Sequence, residues 1–138
     1  IGRRSSDTRH EEASERLLTS DVPEDVQVYT IQGSFFFGAA SKLMEAIRFM
    51  SVKPRALILE MSGVIHMDAT GLHVLEQIHG DCQYRGIRFM IAGVHTQPFL
   101  VLQHAGKFEA FGEESFKENL EVCLQTLREA PSVLSTTP

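Results

Sequence analysis

Residues 58–75 read Ile-Leu-Glu-Met-Ser-Gly-Val-Ile-His-Met-Asp-Ala-Thr-Gly-Leu-His-Val-Leu. The stretch begins within a nearly unbroken apolar run, residues 56–61, which predicts a strand that is covered on both faces at the centre of a sheet. We expect residues 62–67 to form a loop, after which Asp68 is placed to cap a helix that begins near Ala69. The stretch therefore predicts a buried strand that leads through a loop into a capped helix.

The segment before this stretch predicts two strands and a helix. Residues 26–31 alternate apolar and polar side chains, which is typical of a strand with one wet face. The three phenylalanines at 35–37 predict a short second strand, as part of the core or of a sheet face; a surface for a docking partner is the alternative. Apolar residues recur at helical spacing over residues 39–50.

The segment after it continues the alternation of strands and helices. Gly86 is expected to end the helix that Asp68 begins, and residues 87–92 predict another strand. A short helix over residues 97–104 follows. Residues 115–118 match a capping box and predict a last helix, with Phe116 as the first residue of its apolar stripe. The order β-β-α-β-α-β-α-α predicts an α/β domain with helices packed against an open sheet.

The length of 138 residues suits a single domain. We expect residues 1–25 to form a polar linker or arm, residues 26–129 the folded domain, and residues 130–138 a disordered tail rich in Pro, Ser and Thr. No window reaches the roughly 18 apolar residues that a membrane span requires. The chain begins with Ile1 rather than with Met, so we expect it to be part of a longer protein.

Charge and cysteine usage narrow the classes of partner. Thirteen Lys and Arg residues against 18 Asp and Glu residues leave a net charge of −5, which argues against a nucleic-acid partner. Cys82 and Cys123 both fall at apolar positions of predicted helices, where a free cysteine behaves as a small hydrophobe. A reducing, cytoplasmic compartment fits this pattern.

The histidines and serines do not form a metal or catalytic motif. His73 and His79 lie about 240° apart on a helix, so they cannot share a metal ion, and His79 with Cys82 supplies only two ligands. His66 and Asp68 are candidates for an acid/base pair, but Met-Ser-Gly at residues 61–63 lacks the first glycine of a nucleophile elbow. We predict no metal site, no catalytic residue and no cofactor.

Phosphate-binding loops are also missing from the sequence. Gly106 and Lys107 match the end of a P-loop, but Val101 stands where the first glycine is needed, and Phe108 replaces the hydroxyl residue that binds magnesium. One candidate anion-binding feature remains, which is the helix start at Asp68. Its backbone N–H groups are able to receive an anion or a partner's carboxylate; an ordinary capped helix start is an equally good interpretation.

Residues 58–75 resemble the signature of STAS domains, a fold shared by sulfate transporters and anti-sigma-factor antagonists. Residues 28–40 resemble the opening of the STAS domain at the carboxyl end of SulP anion transporters, and residues 85–94 and 102–106 resemble its next strand and helix. The resemblance covers about residues 23–127. It implies an anti-sigma-factor-antagonist-like α/β fold, with a mixed, mostly parallel β-sheet and helices packed mainly on one face, and it implies no enzymatic activity.

The residue after the signature aspartate separates two branches of the resemblance. In anti-sigma-factor antagonists it is a serine or threonine that a partner kinase phosphorylates. Here it is Ala69, which has no hydroxyl, and Thr70 one place on would point differently from the helix start. We therefore favour a non-catalytic cytoplasmic regulatory or assembly domain of a SulP-type sulfate or anion transporter. The alternative is a stand-alone anti-sigma-factor antagonist that acts as a phospho-responsive binding module.

The transporter interpretation implies partners and a location. The partners are the transmembrane domain of the same chain, a second copy joined through the transporter, and a cytoplasmic regulatory protein; weak nucleotide binding is a further candidate. The domain would lie at the cytoplasmic face of the inner (plasma) membrane and be soluble by itself. The predicted contact surface consists of the helix start and the following loop, because ligands bind where neighbouring parallel strands end. Its residues are Met67, Asp68, Ala69, Thr70, Gly71, Gly93, Val94 and His95.

Overall fold

The computed structural model describes residues 22–50 and 52–129. Most of the predicted arm, residues 1–21, and the whole predicted tail, residues 130–138, lie outside the described residues. The described part forms one sheet whose strands follow the order β1-β2-β3-β4, and every described pairing between them is parallel. The strands are β1 (Val26–Phe35), β2 (Ala56–Met67), β3 (Arg88–Ala92) and β4 (Phe116–Lys117).

Helices cover both faces of this sheet unequally. The helices are α1 (Phe37–Arg48), α2 (Ala69–Arg85), α3 (Thr96–His104), α4 (Lys107–Phe111) and α5 (Leu120–Glu129). Buried side chains of α1 to α4 share one hydrophobic cluster with one face of the sheet, and α5 packs alone on the other face. The predicted α/β class, with helices mainly on one face, is confirmed.

The strand at the centre of the sheet is β2, as the apolar run at residues 56–61 predicted. Leu57 and Leu59 belong to the cluster beneath α1 to α4, and Ala56 and Ile58 belong to the cluster beneath α5. All four are 0% exposed. A parallel strand that is covered on both faces has no wet side, which explains why the run carries no polar alternation.

The strands β1 and β2 remain paired well beyond residue 61. Their register shifts once between Thr30 and Gln32 and again between Gly33 and Ser34, and at each shift β2 advances by one residue more than β1. Each shift has the effect of a β-bulge, which inserts an extra residue into one strand of a pair. The predicted loop over residues 62–67 is therefore wrong, since these residues extend β2.

The two bulges also explain the pattern of burial in this extension. Met61, Val64 and Met67 are buried at a spacing of three, because each extra residue turns the strand by one side-chain position. Ile65, between the last two, is 63% exposed. A strand with this spacing does not show the alternation by which strands are recognised in a sequence.

The phenylalanine triplet does not form a second strand, and that prediction is wrong. Phe35 is the last residue of β1; it pairs with Met67 and is fully buried. Phe36 takes the N-cap position of α1, and α1 begins at Phe37. The pairing partner that β2 offers up to Met67 keeps Phe35 in the first strand, so the chain passes directly from strand to helix.

The capping box at residues 115–118 is not used either. The Ser115 hydroxyl donates to the Phe111 carbonyl oxygen at 2.8 Å, and Phe116 pairs with Ile91 in β4 instead of beginning a helix. The helix α5 begins at Leu120, where the Asn119 side chain accepts a hydrogen bond from Val122 N at 2.9 Å. Pairing of Phe116 with β3 therefore overrides the capping box, and Asn119 caps the last helix in place of Ser115.

Candidate functional site

The amino end of α2 is capped by Asp68, as predicted. The Asp68 carboxylate oxygen Oδ1 accepts a hydrogen bond from Gly71 N at 3.0 Å, and its carbonyl oxygen accepts one from Leu72 N at 3.0 Å. The Asp68 side chain thus accepts a hydrogen bond from one of the N–H groups that have no partner within the first turn of a helix. Asp68 and Ala69 are exposed at the surface, and Thr70 is half-buried.

The first turn of α2 packs directly against the end of β1. A Cβ atom built on Gly71 would overlap the Phe35 carbonyl oxygen, and it would lie 2.8 Å from Phe35 Cδ2 and 2.9 Å from Met67 Cγ. Real Cβ atoms essentially never approach other atoms so closely. Glycine at this position therefore allows the helix start to sit on the paired ends of β1 and β2.

The end of β2 is also held from its other side, by a residue outside the predicted site. Met67 N donates to Gln97 Oε1 at 2.9 Å, and Gln97 Nε2 donates to the Met67 carbonyl oxygen at 3.2 Å. The strand β3 pairs with β2 only as far as Glu60. The amide of Gln97, in the first turn of α3, thus supplies the donor and acceptor that a neighbouring strand would supply.

The loop after β3 follows the same side of β2. Gly93 adopts a φ of +75°, and a Cβ there would lie 2.9 Å from Ser62 Cβ, so both its conformation and its surroundings favour glycine. Gly93 N donates to the Lys117 carbonyl oxygen at 3.0 Å. His95 Nε2 donates to the Ser62 carbonyl oxygen at 2.6 Å, and Val94 packs partly against the main core.

The two predicted groups of site residues therefore flank one strand end. Met67 ends β2 and Asp68 to Gly71 follow it, while the loop from Gly93 to His95 is joined to β2 through the hydrogen bond between His95 and Ser62. The hydrogen bonds to Met67 come from Gln97. Their role as a contact surface stays a prediction. Gln97 and Ser62 were missed, because no local pattern marks a side chain whose partner lies about 30 residues away in the sequence.

Metal-ligand clusters and reactive thiols are two kinds of reactive group that bear on the chemistry of the described residues. Among residues 22–50 and 52–129, no group of three or more His, Cys, Asp or Glu side chains is placed to hold a metal ion. Burial raises the pKa of both cysteine thiols, Cys82 and Cys123, to about 12, so neither forms the thiolate that acts as a nucleophile. Asp68, Ala69 and His95 are exposed at this surface.

The match to a known family covers most of the chain. Residues 18–126 match the STAS domain family. The chain belongs to this family. The match spans all four strands and the capped start of α2, so the resemblance found at residues 58–75 extends over nearly all of the described fold.

Relatives of this STAS domain come from sulfate transporters. A crystal structure of a sulfate transporter family protein from Wolinella succinogenes is 33% identical, with a TM-score of 0.72 over 78% of this chain and 91% of that one. The STAS domain of a SulP transporter from Vibrio cholerae is 30% identical, with a TM-score of 0.69 over 87% of this chain and 98% of that one. With sequence identities of 33% and 30%, both relatives are similar to this chain in sequence as well as in fold.

A curated relative is much longer than this STAS domain. YvdB of Bacillus subtilis, which is named for sulfate transport, is 31% identical over 118 residues, and these cover 84% of this chain. The chain spans only 22% of the length of YvdB. Within the part that the structure describes, no helix combines the length and the apolar character that crossing a bilayer demands.

Proposed function

We propose that this STAS domain is the cytoplasmic regulatory and assembly domain of a SulP-type sulfate or anion transporter, and that it acts by contact and without catalysis. One observation carries the proposal. The chain covers 98% of a solved SulP STAS domain at 30% identity, yet only 22% of YvdB. It thus corresponds in extent to one domain, and the relatives of that domain belong to anion transporters.

The geometry supports contact as the mode of action. Asp68, Ala69 and His95 are exposed beside a strand end that is held from both sides, by the packing of Gly71 and by the hydrogen bonds of Gln97. An exposed surface that is braced in this way is suited to distinguish two conformations of a partner, because its contacts change when the partner moves. Such differential contact would bias the transport domain or its assembly into dimers.

The point at which the chain enters the sheet supports attachment to a transmembrane domain at the end of the sheet opposite Asp68. All strands are parallel, so Val26, Ala56 and Arg88 begin at one edge, which we name the amino edge. Asp25 enters there and is held by Arg55, whose Nε donates to Asp25 Oδ2 at 2.9 Å. The surface around Asp68 lies at the opposite, carboxyl edge. A transmembrane domain that precedes residue 22 would therefore leave this surface free for a second contact.

Ala69 weighs against the stand-alone phospho-responsive module. It is exposed at the first position of α2, where a phosphorylated side chain would change the charge of the surface, but it has no hydroxyl to accept a phosphate. Thr70, which has one, is half-buried. The local structure thus fits a binding surface that does not depend on a kinase.

The proposal is tested on the complete coding sequence that contains this chain. We expect membrane spans upstream of residue 1, and we expect the expressed protein to sediment with membranes. Protease added to inside-out vesicles should then release a fragment that contains residues 22–129, whereas right-side-out vesicles should protect it. A start codon beside residue 1, or a protein that stays in the soluble fraction, would contradict the proposal.

A further inference from the structure

Three large apolar side chains are strongly exposed near the ends of α1 and α2. Phe49 and Val52 are 73% and 75% exposed in the connection from α1 to β2, and Tyr84 is 90% exposed in the last turn of α2. Only three other large apolar side chains are markedly exposed among the described residues, and they lie elsewhere in the chain. Exposed apolar groups that gather at one end of a domain mark a surface for contact.

Basic side chains surround these apolar groups. Arg48 ends α1 and Arg85 ends α2, and both line a groove of about 610 Å³ between the two helices. Lys53 Nζ lies 3.7 Å from the place of a Cβ on Gly86, so the connection from α1 to β2 reaches the end of α2. We name the six residues the basic-aromatic patch: Arg48, Phe49, Val52, Lys53, Tyr84 and Arg85.

The charge of this region differs from that of the chain. Residues 42–55 contain four basic side chains and a single acidic one, Glu45, although the whole chain carries a net charge of −5. Asp81 also lines the groove and lies 3.7 Å from Arg85 in an i,i+4 pair, which leaves Arg48 and Lys53 without a described acidic partner. The patch therefore favours an anionic partner surface, although the net charge of the whole chain would favour a cationic one.

The position of the patch points to the same partner. The helices α1 and α2 end where β2 and β3 begin, so the patch lies at the amino edge, the edge at which Asp25 enters the domain. Under the proposed function a transmembrane domain precedes residue 22, and the amino edge is then the end tethered to the membrane. This step alone rests on the proposed function.

We propose that the basic-aromatic patch docks on the anionic phospholipid surface of the membrane. The guanidinium groups of Arg48 and Arg85 and the ammonium group of Lys53 would pair with headgroup phosphates. Phe49, Val52 and Tyr84 would lie at the level of the headgroups, where amphipathic and apolar side chains gain from leaving water. Docking at the amino edge leaves the surface around Asp68, at the carboxyl edge, free for a further contact.

The test measures binding of the 138-residue chain to vesicles by co-sedimentation. We expect binding to vesicles that contain phosphatidylglycerol, weak binding to pure phosphatidylcholine, and loss of binding as salt is added. The variant Lys53→Glu should reduce the partition coefficient about tenfold or more, because it reverses one charge at the surface. Lys117→Glu, the same change in β4 and away from the patch, should leave it nearly unchanged.

A second pair of variants tests the apolar contribution. Tyr84→Ser and Phe49→Ser should weaken vesicle binding, whereas Leu100→Ser, a change at a residue that is 42% exposed on α3, should not. Tyr84 is so exposed that its replacement leaves folding intact, which thermal unfolding of the variant verifies. Failure of the wild-type chain to bind anionic vesicles would overturn the inference, and so would equal effects of Lys53→Glu and Lys117→Glu. Neither result depends on transport, so the proposed function would survive them.

Discussion

The side-chain amide of Gln97 holds both backbone groups of Met67, with Met67 N donating to Gln97 Oε1 at 2.9 Å and Gln97 Nε2 donating to the Met67 carbonyl oxygen at 3.2 Å. This pair closes the side of β2 that β3 leaves open beyond Glu60. It thereby positions the residue that leads into Asp68 and the start of α2. Three predictions about the site follow from the contacts that hold the end of β2 and the start of α2.

Replacement of Gln97 should loosen the end of β2. The variant Gln97→Leu leaves the N–H and carbonyl groups of Met67 without their partner, which should lower the free energy of unfolding by about 1–3 kcal/mol. Gln103→Leu, a change at an exposed position of the same helix, should have little effect. Urea unfolding of both variants measures the difference, and equal stabilities would contradict the role of Gln97.

Glycine 71 should tolerate no larger side chain. Gly71→Ala places a methyl group against the Phe35 carbonyl oxygen and the Met67 side chain, and such overpacking should cost about 1–3 kcal/mol. Gly80→Ala is the matched control, since it lies in the same helix and the new Cβ meets nothing within 4 Å beyond the adjoining residues and backbone of that helix. That variant should gain about 0.5–1 kcal/mol from the removal of glycine's freedom in the unfolded chain. If both changes have the same sign, the close packing of α2 on β1 is wrong.

The carboxylate of Asp68 should stabilise the domain by capping α2. Asp68→Ala should lower the free energy of unfolding by about 1 kcal/mol, because Gly71 N loses its acceptor. Asp68→Asn keeps an oxygen that accepts the same hydrogen bond and should be close to wild type. Denaturant titrations compare the three proteins, and an Asn variant as unstable as the Ala variant would show that the cap is not the cause.

Acid should weaken the packing of α4 through His79. The His79 ring stacks on Phe111 with centroids 4.5 Å apart, and burial, followed by the nearby Lys107 ammonium, lowers the pKa of His79 below its ordinary 6.5. The folded state therefore binds the proton less tightly than the unfolded state does. Its stability is retained above pH 6.5 and falls as the pH drops below that value.

Replacement of the ring isolates this contribution. The variant His79→Gln should lose part of the decrease in unfolding free energy between neutral and mildly acidic pH, whereas His104→Gln, at an exposed position of α3, should keep it. Urea unfolding across this pH range is the measurement. A pH profile of His79→Gln identical to that of wild type would assign the acid sensitivity to other groups.

Local sequence signals predicted those elements whose stabilising contacts are local or follow a simple period. The apolar run at residues 56–61 predicted the central strand, Asp68 predicted the start of α2, and Gly86 predicted its end; each is confirmed. Apolar residues also repeated at helical spacing within α1 and α2, which the structure buries against the sheet. In these places the sequence pattern and the structure have the same cause, which is the burial of apolar side chains or the capping of a helix end.

The remaining elements depend on partners that are distant in the sequence. The extension of β2 was missed because two bulges space Met61, Val64 and Met67 by three, and only pairing with β1 makes this spacing a strand. Ser115 was expected to begin the last helix, but pairing of Phe116 with β3 moves that start to Leu120. The role of Gln97 at the candidate site was hidden for the same reason.

The central claim is that the surface around Asp68 controls a transporter by contact, and uptake of labelled sulfate by the full-length protein tests it most directly. Asp68→Lys and Asp68→Ala both remove the cap of α2, but only the first reverses the charge of the surface. A cation at the amino end of a helix is also unfavourable, so urea unfolding of both variants accompanies the uptake assay and separates contact from stability. We expect Asp68→Lys and Thr70→Glu to change uptake or the oligomeric state in membranes, with Asp68→Ala close to wild type. Uptake and oligomeric state that are unchanged in both charge variants would contradict the claim.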